Sequence, residues 1–288
     1  MLGVFPGAHR APVGHRPARK KNAMNLQAIT PGMRKEEQEH RRELCVAGAW
    51  LYQRGFVVAT DGNLSLRTSE NRVLTSPTGV SKGMLDPADL VVTDLDGSRL
   101  EGRHAPSSEL QMHLQIYRQR SDVRAICHAH PPVATGFAAA GIVLDKALLA
   151  ECILDLEFIP VAPYATPGTR ELADALKPLI AQHNAILLAN HGVVTFGPDL
   201  LSAFFRMETT EHIARVTLVT ELLGRQVLLT NRDVERLLAS RNRAREGSSE
   251  APTRARTAES AAEDDTVRNR RELEVLLAEA LRNLNDRR

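Results

Sequence analysis

The stretch "AICHAHPP" at residues 125–132 carries the reading of this chain. It closes the apolar run "VRAICHAH" (123–130), which reads as a short strand that two prolines stop. Side chains i and i+2 of a strand share a face, so His128 and His130 project together while Cys127 and Ala129 face the other way. Two imidazoles so placed can both reach one zinc ion at about 2.0–2.1 Å. Two polar side chains at the mouth of a buried strand would give the same pattern. A metal needs a further donor, and the best candidate is His191 in "LLANHGVV" (187–194), which also ends an apolar run and precedes Gly192. Three histidines with one open position are the composition of a catalytic zinc site. Strand geometry turns Cys127 away from such a site. His9 and His15 fall in a tail, His40 in a charged helix start, His104 and His183 near loops, and His113 and His212 toward solvent or neighbouring helices.

Working outward, "APSSELQMHLQIYRQR" (105–120) opens a helix, with Ser108 and Gln111 at capping-box spacing and Leu110, Leu114 and Tyr117 on one face. Glu109 stands in its first turn, where the helix dipole favours a carboxylate. It reads either as a helix-start acid or as a base beside a metal, carrying the proton that a hydroxy-carbonyl substrate must lose. Three polar turns can hold an anion: "TDGNLS" (60–65), "SPTGVSKG" (76–83) and "PSS" (106–108). Each is also an ordinary turn or cap. No P-loop spacing occurs and no GxGxxG opens a helix, which disfavours nucleotide binding.

Further elements follow from periodicity. "RKEEQEHRRELCVAGAWLYQRG" (34–55) is a helix stopped by Gly55. "NLSLR", "RVLTS" and "LVVTD" are short strands, "PPVATGFAAAG" a helix begun by proline, and "FIPVAPY" and "AILLANHGVVTF" strand runs around a helix near 169–182. A long helix spans 198–224 and a shorter one 231–242. The pattern is a mixed α/β domain with short, mainly antiparallel strands and no regular βαβ alternation.

The chain has 288 residues, 43% hydrophobic and 25% charged, enough for one good core with appendages. The formal charge of +2 is local, since residues 1–35 hold seven Lys/Arg and no acid. That segment reads as a basic, disordered extension. The core domain spans 36–240, a low-hydrophobicity linker 241–264, and an amphipathic helix 265–288 with Leu273, Leu277, Leu281 and Leu284 at helical spacing. Three cysteines without metal-ligand spacing fit a reducing, cytoplasmic setting. No apolar run approaches the roughly 18–20 residues of a membrane span. Aromatics are 4% of the chain and no basic-aromatic surface occurs in the core, so neither a membrane nor a nucleic acid is an expected partner.

Taken in order, "GNLS", "SPTG", "PSSE", "HAHP", "PYATPGT" and "NHG" resemble the class II aldolase/adducin family, from about residue 36 to 225. The resemblance implies a central antiparallel sheet flanked by helices, here with an extra C-terminal helix. It implies a divalent metal, usually Zn2+, on His128, His130 and His191, with Glu109 as acid/base residue. Gly62 and Asn63, Thr78 and Gly79, and Ser107 and Ser108 match positions that hold the substrate phosphate. The implied activity is that of a metal-dependent aldehyde-lyase of carbohydrate or pentose catabolism. It would cleave a small ketose phosphate by a retro-aldol reaction through a metal-bound enediolate, in a homotetramer with sites near subunit boundaries. Lys82 shows no sign of a Schiff-base role. The family's catalytic tyrosine position falls near Leu149, leaving Glu151 and Asp155 as candidates for the second proton donor. A sugar-phosphate epimerase or dehydratase would use the same site, and a non-catalytic adducin-like module is the alternative of another class.

Overall fold

The computed structural model describes residues 35–68 and 71–249. The expected basic extension and C-terminal amphipathic helix lie outside the described residues. Eight strands form one sheet in the order β4-β3-β2-β1-β5-β8-β7-β6. They are β1 (Asn63–Thr68), β2 (Arg72–Thr75), β3 (Val91–Asp94), β4 (Arg99–Glu101), β5 (Ala125–Ala129), β6 (Val161–Ala162), β7 (Ala185–Leu188) and β8 (Gly192–Gly197). Every neighbouring pair is antiparallel except β6 with β7. The mainly antiparallel α/β reading is therefore correct, with one parallel edge of two residues where "FIPVAPY" suggested a longer strand.

The helices are α1 (Lys35–Gln53), α2 (Leu110–Gln119), α3 (Pro132–Ala140), α4 (Ala150–Asp155), α5 (Arg170–Ile180), α6 (Leu200–Leu222) and α7 (Asn231–Ser249). α4 and β4 had no clear sequence signal, being only six and three residues long. α7 runs past Asn242 into the stretch read as a linker. Alternation along the strands builds a core on each face. Leu64, Leu66, Cys127, Ala129 and Val193 join Leu44 and Leu51 of α1, Ala134 and Ala138 of α3, and Phe204 and Met207 of α6. Ile126, Ile186, Val194 and Phe196 face Leu114 and Tyr117 of α2 and Leu172 and Leu176 of α5. Cys127 thus belongs to the packed interior, as strand geometry requires. No helix among the described residues is long and apolar enough to cross a membrane.

One apolar run proves to be two strands. "AILLANHGVVTF" turns back on itself, so β7 and β8 pair antiparallel with Leu188 opposite Gly192. The reversal occurs at Asn190, whose φ of 55° is a left-handed conformation that asparagine tolerates better than most residues. His191 consequently stands at a hairpin tip, beside the end of β5, which pairs with β8.

Candidate metal centre

β5 delivers His128 and, one step beyond its end, His130; the β7–β8 turn delivers His191. One ligand nitrogen from each falls within 4.8 Å of the others, and the ring centroids are 4.8–5.1 Å apart. His128 is fully buried, and its Nδ1 lies 2.8 Å from the Val193 carbonyl oxygen. A carbonyl can only accept, so Nδ1 carries a proton. Burial lowers the His128 pKa, but Glu109 outweighs it and raises it, so Nε2 would offer its lone pair to a metal by giving up the proton it shares with Glu109. That Nε2 is 3.2 Å from His130 Nε2. Gly192 is needed for this closeness, because a Cβ there would strike the His130 ring and come within 2.6 Å of the Ala129 carbonyl oxygen.

Glu109 completes the cluster. Its Oε2 is 3.2 Å from His128 Nε2 and its Oε1 is 3.1 Å from His191 Nε2. Asn63 Nδ2 donates to Oε2 at 2.8 Å, fixing the carboxylate from the strand side. Burial alone would raise the Glu109 pKa, but His128 and His191 outweigh it and hold the carboxyl well below the usual carboxylate range. Burial, followed by the charge of His128 and His191, pushes His130 down to about 3. Neutral imidazole is the form that ligates a metal.

The residues fit a divalent cation. Glu109 Oε1, Asn63 Oδ1 and His191 Nδ1 are buried without a hydrogen-bond partner. Converging imidazole nitrogens and an ionised carboxylate crowd lone pairs into one water-poor place, which a shared cation resolves. Asp61 adds negative charge on the outer side, its Oδ2 lying 3.6 Å from His130 Nδ1.

The expected capping box does not form. α2 begins at Leu110 with Glu109 in the N-cap position, and no side chain caps it. Ser107 Oγ instead accepts from the Glu109 N–H at 3.2 Å. Glu109 is thus outside the first turn, and its carboxylate reaches sideways to the histidines.

Beneath this cluster α2 and β1 run side by side. Four helix residues rise about 6 Å and two strand residues about 6.6 Å, so i+4 on one keeps step with i+2 on the other. Glu109, His113 and Tyr117 accordingly meet Asn63, Ser65 and Arg67. Ser65 Oγ lies 2.7 Å from His113 Nδ1 and 2.8 Å from the Tyr117 hydroxyl, and the Arg67 guanidinium stacks over the Tyr117 ring at 5.3 Å. His113 is 1% exposed, which corrects its assignment to solvent or a neighbouring helix. Matching polar residues at strand spacing and helix spacing were the signal that could have placed it.

The three polar turns converge. Thr78 N–H donates to the Ala105 carbonyl, Pro77 bridges Pro106, and Ser76 Oγ accepts from Leu64 N–H. Gly62, Asn63 and Ser107 are buried, while Thr78, Gly79 and Ser108 are exposed. Gly168, in the "PYATPGT" loop, packs beside Ser108; a Cβ there would lie 3.4 Å from the Ser108 carbonyl oxygen. Asp155 is engaged by Arg206, Glu151 is exposed on α4, and neither contacts the histidine cluster. Asp61 and the buried Lys82 also lie in these polar turns, and neither carries a local sequence signal for its place.

Residues 42–218 match the Class II Aldolase and Adducin N-terminal domain family. A 5-deoxy-D-ribulose 1-phosphate aldolase of Bacillus thuringiensis serovar kurstaki is 34% identical over 201 residues, 69% of this chain and 94% of its own. A 3-oxo-tetronate 4-phosphate decarboxylase of Haemophilus influenzae is 36% identical over 204 residues, 68% of this chain and 95% of its own. The solved structure of an L-fuculose 1-phosphate aldolase superposes with a TM-score of 0.66 at 32% identity, covering 70% of this chain and 95% of that one.

Proposed function

The chain belongs to the class II aldolase and adducin family, and from that premise we propose that it is a zinc-dependent aldehyde-lyase. Its substrate would be a small 1-phosphorylated ketose, cleaved to dihydroxyacetone phosphate and a short aldehyde. The observation that carries the reading is one buried carboxylate, Glu109, held by Asn63 against three histidines that suit a divalent cation. Such a cation, when bound, supplies a Lewis acid for the oxygens of a hydroxy-ketone.

The protein's own residues do the rest. As the carbon–carbon bond beyond the hydroxy-ketone breaks, its electron pair stays on the carbon next to the carbonyl. In the condensation direction ionised Glu109 takes the proton from that carbon, and in cleavage Glu109 takes up a proton from solvent and returns it to the carbon. Asn63 donates to one carboxylate oxygen and keeps the other directed into the cluster. The turns at Gly62–Asn63, Thr78–Gly79 and Ser107–Ser108 receive the phosphate through their N–H and O–H groups. His128 and Glu109 are buried, so the carbon exchanges its proton with Glu109 rather than directly with bulk water. A homotetramer belongs to the same reading: Leu222 and Leu223, at and beside the end of α6, are 79% and 73% exposed, and light scattering measures the assembly.

A decarboxylase is the second reading, favoured by a specific observation. Retro-aldol cleavage also requires a group to take the proton from the departing hydroxyl, whereas carbon dioxide departs without one. Among the described residues no tyrosine hydroxyl contacts the cluster: Tyr117 is bonded to Ser65, Tyr52 packs on Gly83, and Tyr164 is exposed. The two readings share one step. Loss of an aldehyde from a ketose 1-phosphate, or of carbon dioxide from 3-oxo-tetronate 4-phosphate, leaves the same carbanion of dihydroxyacetone phosphate.

Solvent exchange tests that step. The zinc-loaded protein in deuterium oxide should exchange one carbon-bound hydrogen of the dihydroxyacetone phosphate hydroxymethyl group, read by NMR. No exchange with zinc, manganese or cobalt would overturn both readings. Condensation with acetaldehyde or lactaldehyde then supports the aldolase, and carbon dioxide release from 3-oxo-tetronate 4-phosphate without condensation replaces it by the decarboxylase.

A further inference from the structure

Lys82 opens a short 3-10 turn, Lys82–Met84, directly after the "SPTG" turn, and it is 1% exposed. Its ammonium donates to two backbone carbonyls, Val80 O at 2.6 Å and Thr60 O at 2.8 Å. Val80 belongs to the turn that carries Thr78 and Gly79. Thr60 belongs to the turn that carries Gly62 and Asn63. Both turns are conformationally demanding. Ala59, next to Thr60, has φ 47°, a left-handed conformation that costs a non-glycine residue free energy, and Gly62 and Gly79 have φ of 69° and 72°. α1 closes the rear: a Cβ on Gly48 would lie 2.8 Å from the Lys82 carbonyl oxygen. The first turn also reaches the metal centre, because a Cβ on Gly62 would lie 2.8 Å from the His128 carbonyl oxygen and Asp61 faces His130.

A structural staple between two loops does not need a charge. An ammonium with three donors and two carbonyl acceptors keeps one N–H uncommitted and a full positive charge away from water, which is unfavourable unless an anion shares it. The charged groups that face it are Asp61 and Glu109, both already directed at the histidines. Burial lowers the Lys82 pKa to about 8, so the ammonium persists at neutral pH.

We propose that Lys82 is the positioning residue of the anion pocket: it locks the 57–62 and 76–81 turns together and sets the positive potential that a phosphate between them meets. This rests on the proposed function and deepens it, since it assigns phosphate affinity to a side chain that stands behind the turns rather than in them. It also separates two tasks in one site, with proton transfer on Glu109 and anion recognition on Lys82.

The test compares wild type with Lys82→Met and Lys82→Arg, all zinc-loaded. The substrates are dihydroxyacetone phosphate and unphosphorylated dihydroxyacetone, in the deuterium-exchange assay, and the probe is inorganic phosphate, by competition and by calorimetry. Losing one charged interaction should raise the KM for dihydroxyacetone phosphate and the phosphate dissociation constant together by about tenfold or more, with kcat within about threefold. Exchange of dihydroxyacetone and zinc content should not change, and Lys82→Arg should recover part of the phosphate affinity. Equal losses on both substrates, or an unchanged phosphate constant, would overturn the assignment and make Lys82 a loop staple only. If Lys82→Met does not fold, Lys82→Gln, which keeps two donors and removes the charge, is put through the same comparison. Wild type that binds phosphate yet catalyses no exchange would sink the proposed reaction and leave the pocket to be judged by calorimetry alone.

Discussion

Two polar layers lie between the same strand and the same helix, and they are built to opposite ends. In the lower layer Ser65 Oγ sits between His113 Nδ1 and the Tyr117 hydroxyl, which passes on to the Arg124 carbonyl at 3.3 Å. In the upper layer Asn63 and Glu109 share one bond and leave Asn63 Oδ1 and Glu109 Oε1 without partners. The helix-to-strand step is identical, so the difference comes from what lies beyond each layer. His113 and Tyr117 are closed in by the second core, whereas Glu109 opens onto three histidines. The lower layer leaves one nitrogen, His113 Nε2, without a partner inside an apolar core, whereas the unpaired atoms of the upper layer stand beside converging histidines, where a bound cation can satisfy them.

The upper layer should therefore fail in function and the lower in stability. His128→Ala should have the largest effect, removing most bound metal and reducing exchange to background, read by metal analysis of the purified protein. Wild-type metal content in that variant would break the ligand assignment. Glu109→Gln should come next, holding near wild-type metal while exchange falls by about 10²- to 10⁴-fold, the usual contribution of a positioned acid or base. Loss of the metal in Glu109→Gln would make the carboxylate chiefly a ligand.

Ser65→Ala should behave in the opposite way. It leaves the buried His113 Nδ1 unpaired and Tyr117 with only the Arg124 carbonyl, at a cost of about 1–3 kcal/mol for the stranded nitrogen, so denaturant unfolding should shift while metal content and exchange stay within a few-fold. A variant with wild-type stability but weakened exchange would merge the two layers into one functional unit.

How far these layers were legible depended on how local their cause is. His128 and His130 were readable as a pair because strand periodicity fixes their common face within three residues. The long helices were readable from apolar spacing over many turns. The hairpin inside "AILLANHGVVTF" was not, because one left-handed residue, Asn190, reverses a run whose composition is continuous strand. The Glu109 N-cap was missed because Ser108 and Gln111 offered a local bond that the convergence with the histidines overrides. Lys82 and His113 owe their burial to partners 22 and 48 residues away, which no local window contains.

The smallest effect is the most specific test of the lower layer. Burial, reinforced by the charge of His128 and opposed by Glu109, pushes His113 from 6.5 down to about 3. In the unfolded chain the same imidazole takes up its proton near 6.5, so between pH 6.5 and 3 the unfolded state binds more protons than the folded one. Stability contributed by the neutral, buried ring is complete above pH 6.5 and is lost as the pH falls toward 3, with a limiting slope of about 1.4 kcal/mol per pH unit for one proton. Both proteins are compared metal-free, so that proton release on metal binding does not enter the comparison. His113→Leu should then unfold with a stability–pH curve about one proton shallower than wild type over that window, whatever its absolute stability. Parallel curves would mean that the folded protein protonates His113 as readily as the unfolded chain does, and the lower layer would then be coupled to the charges above it and no longer a closed structural unit.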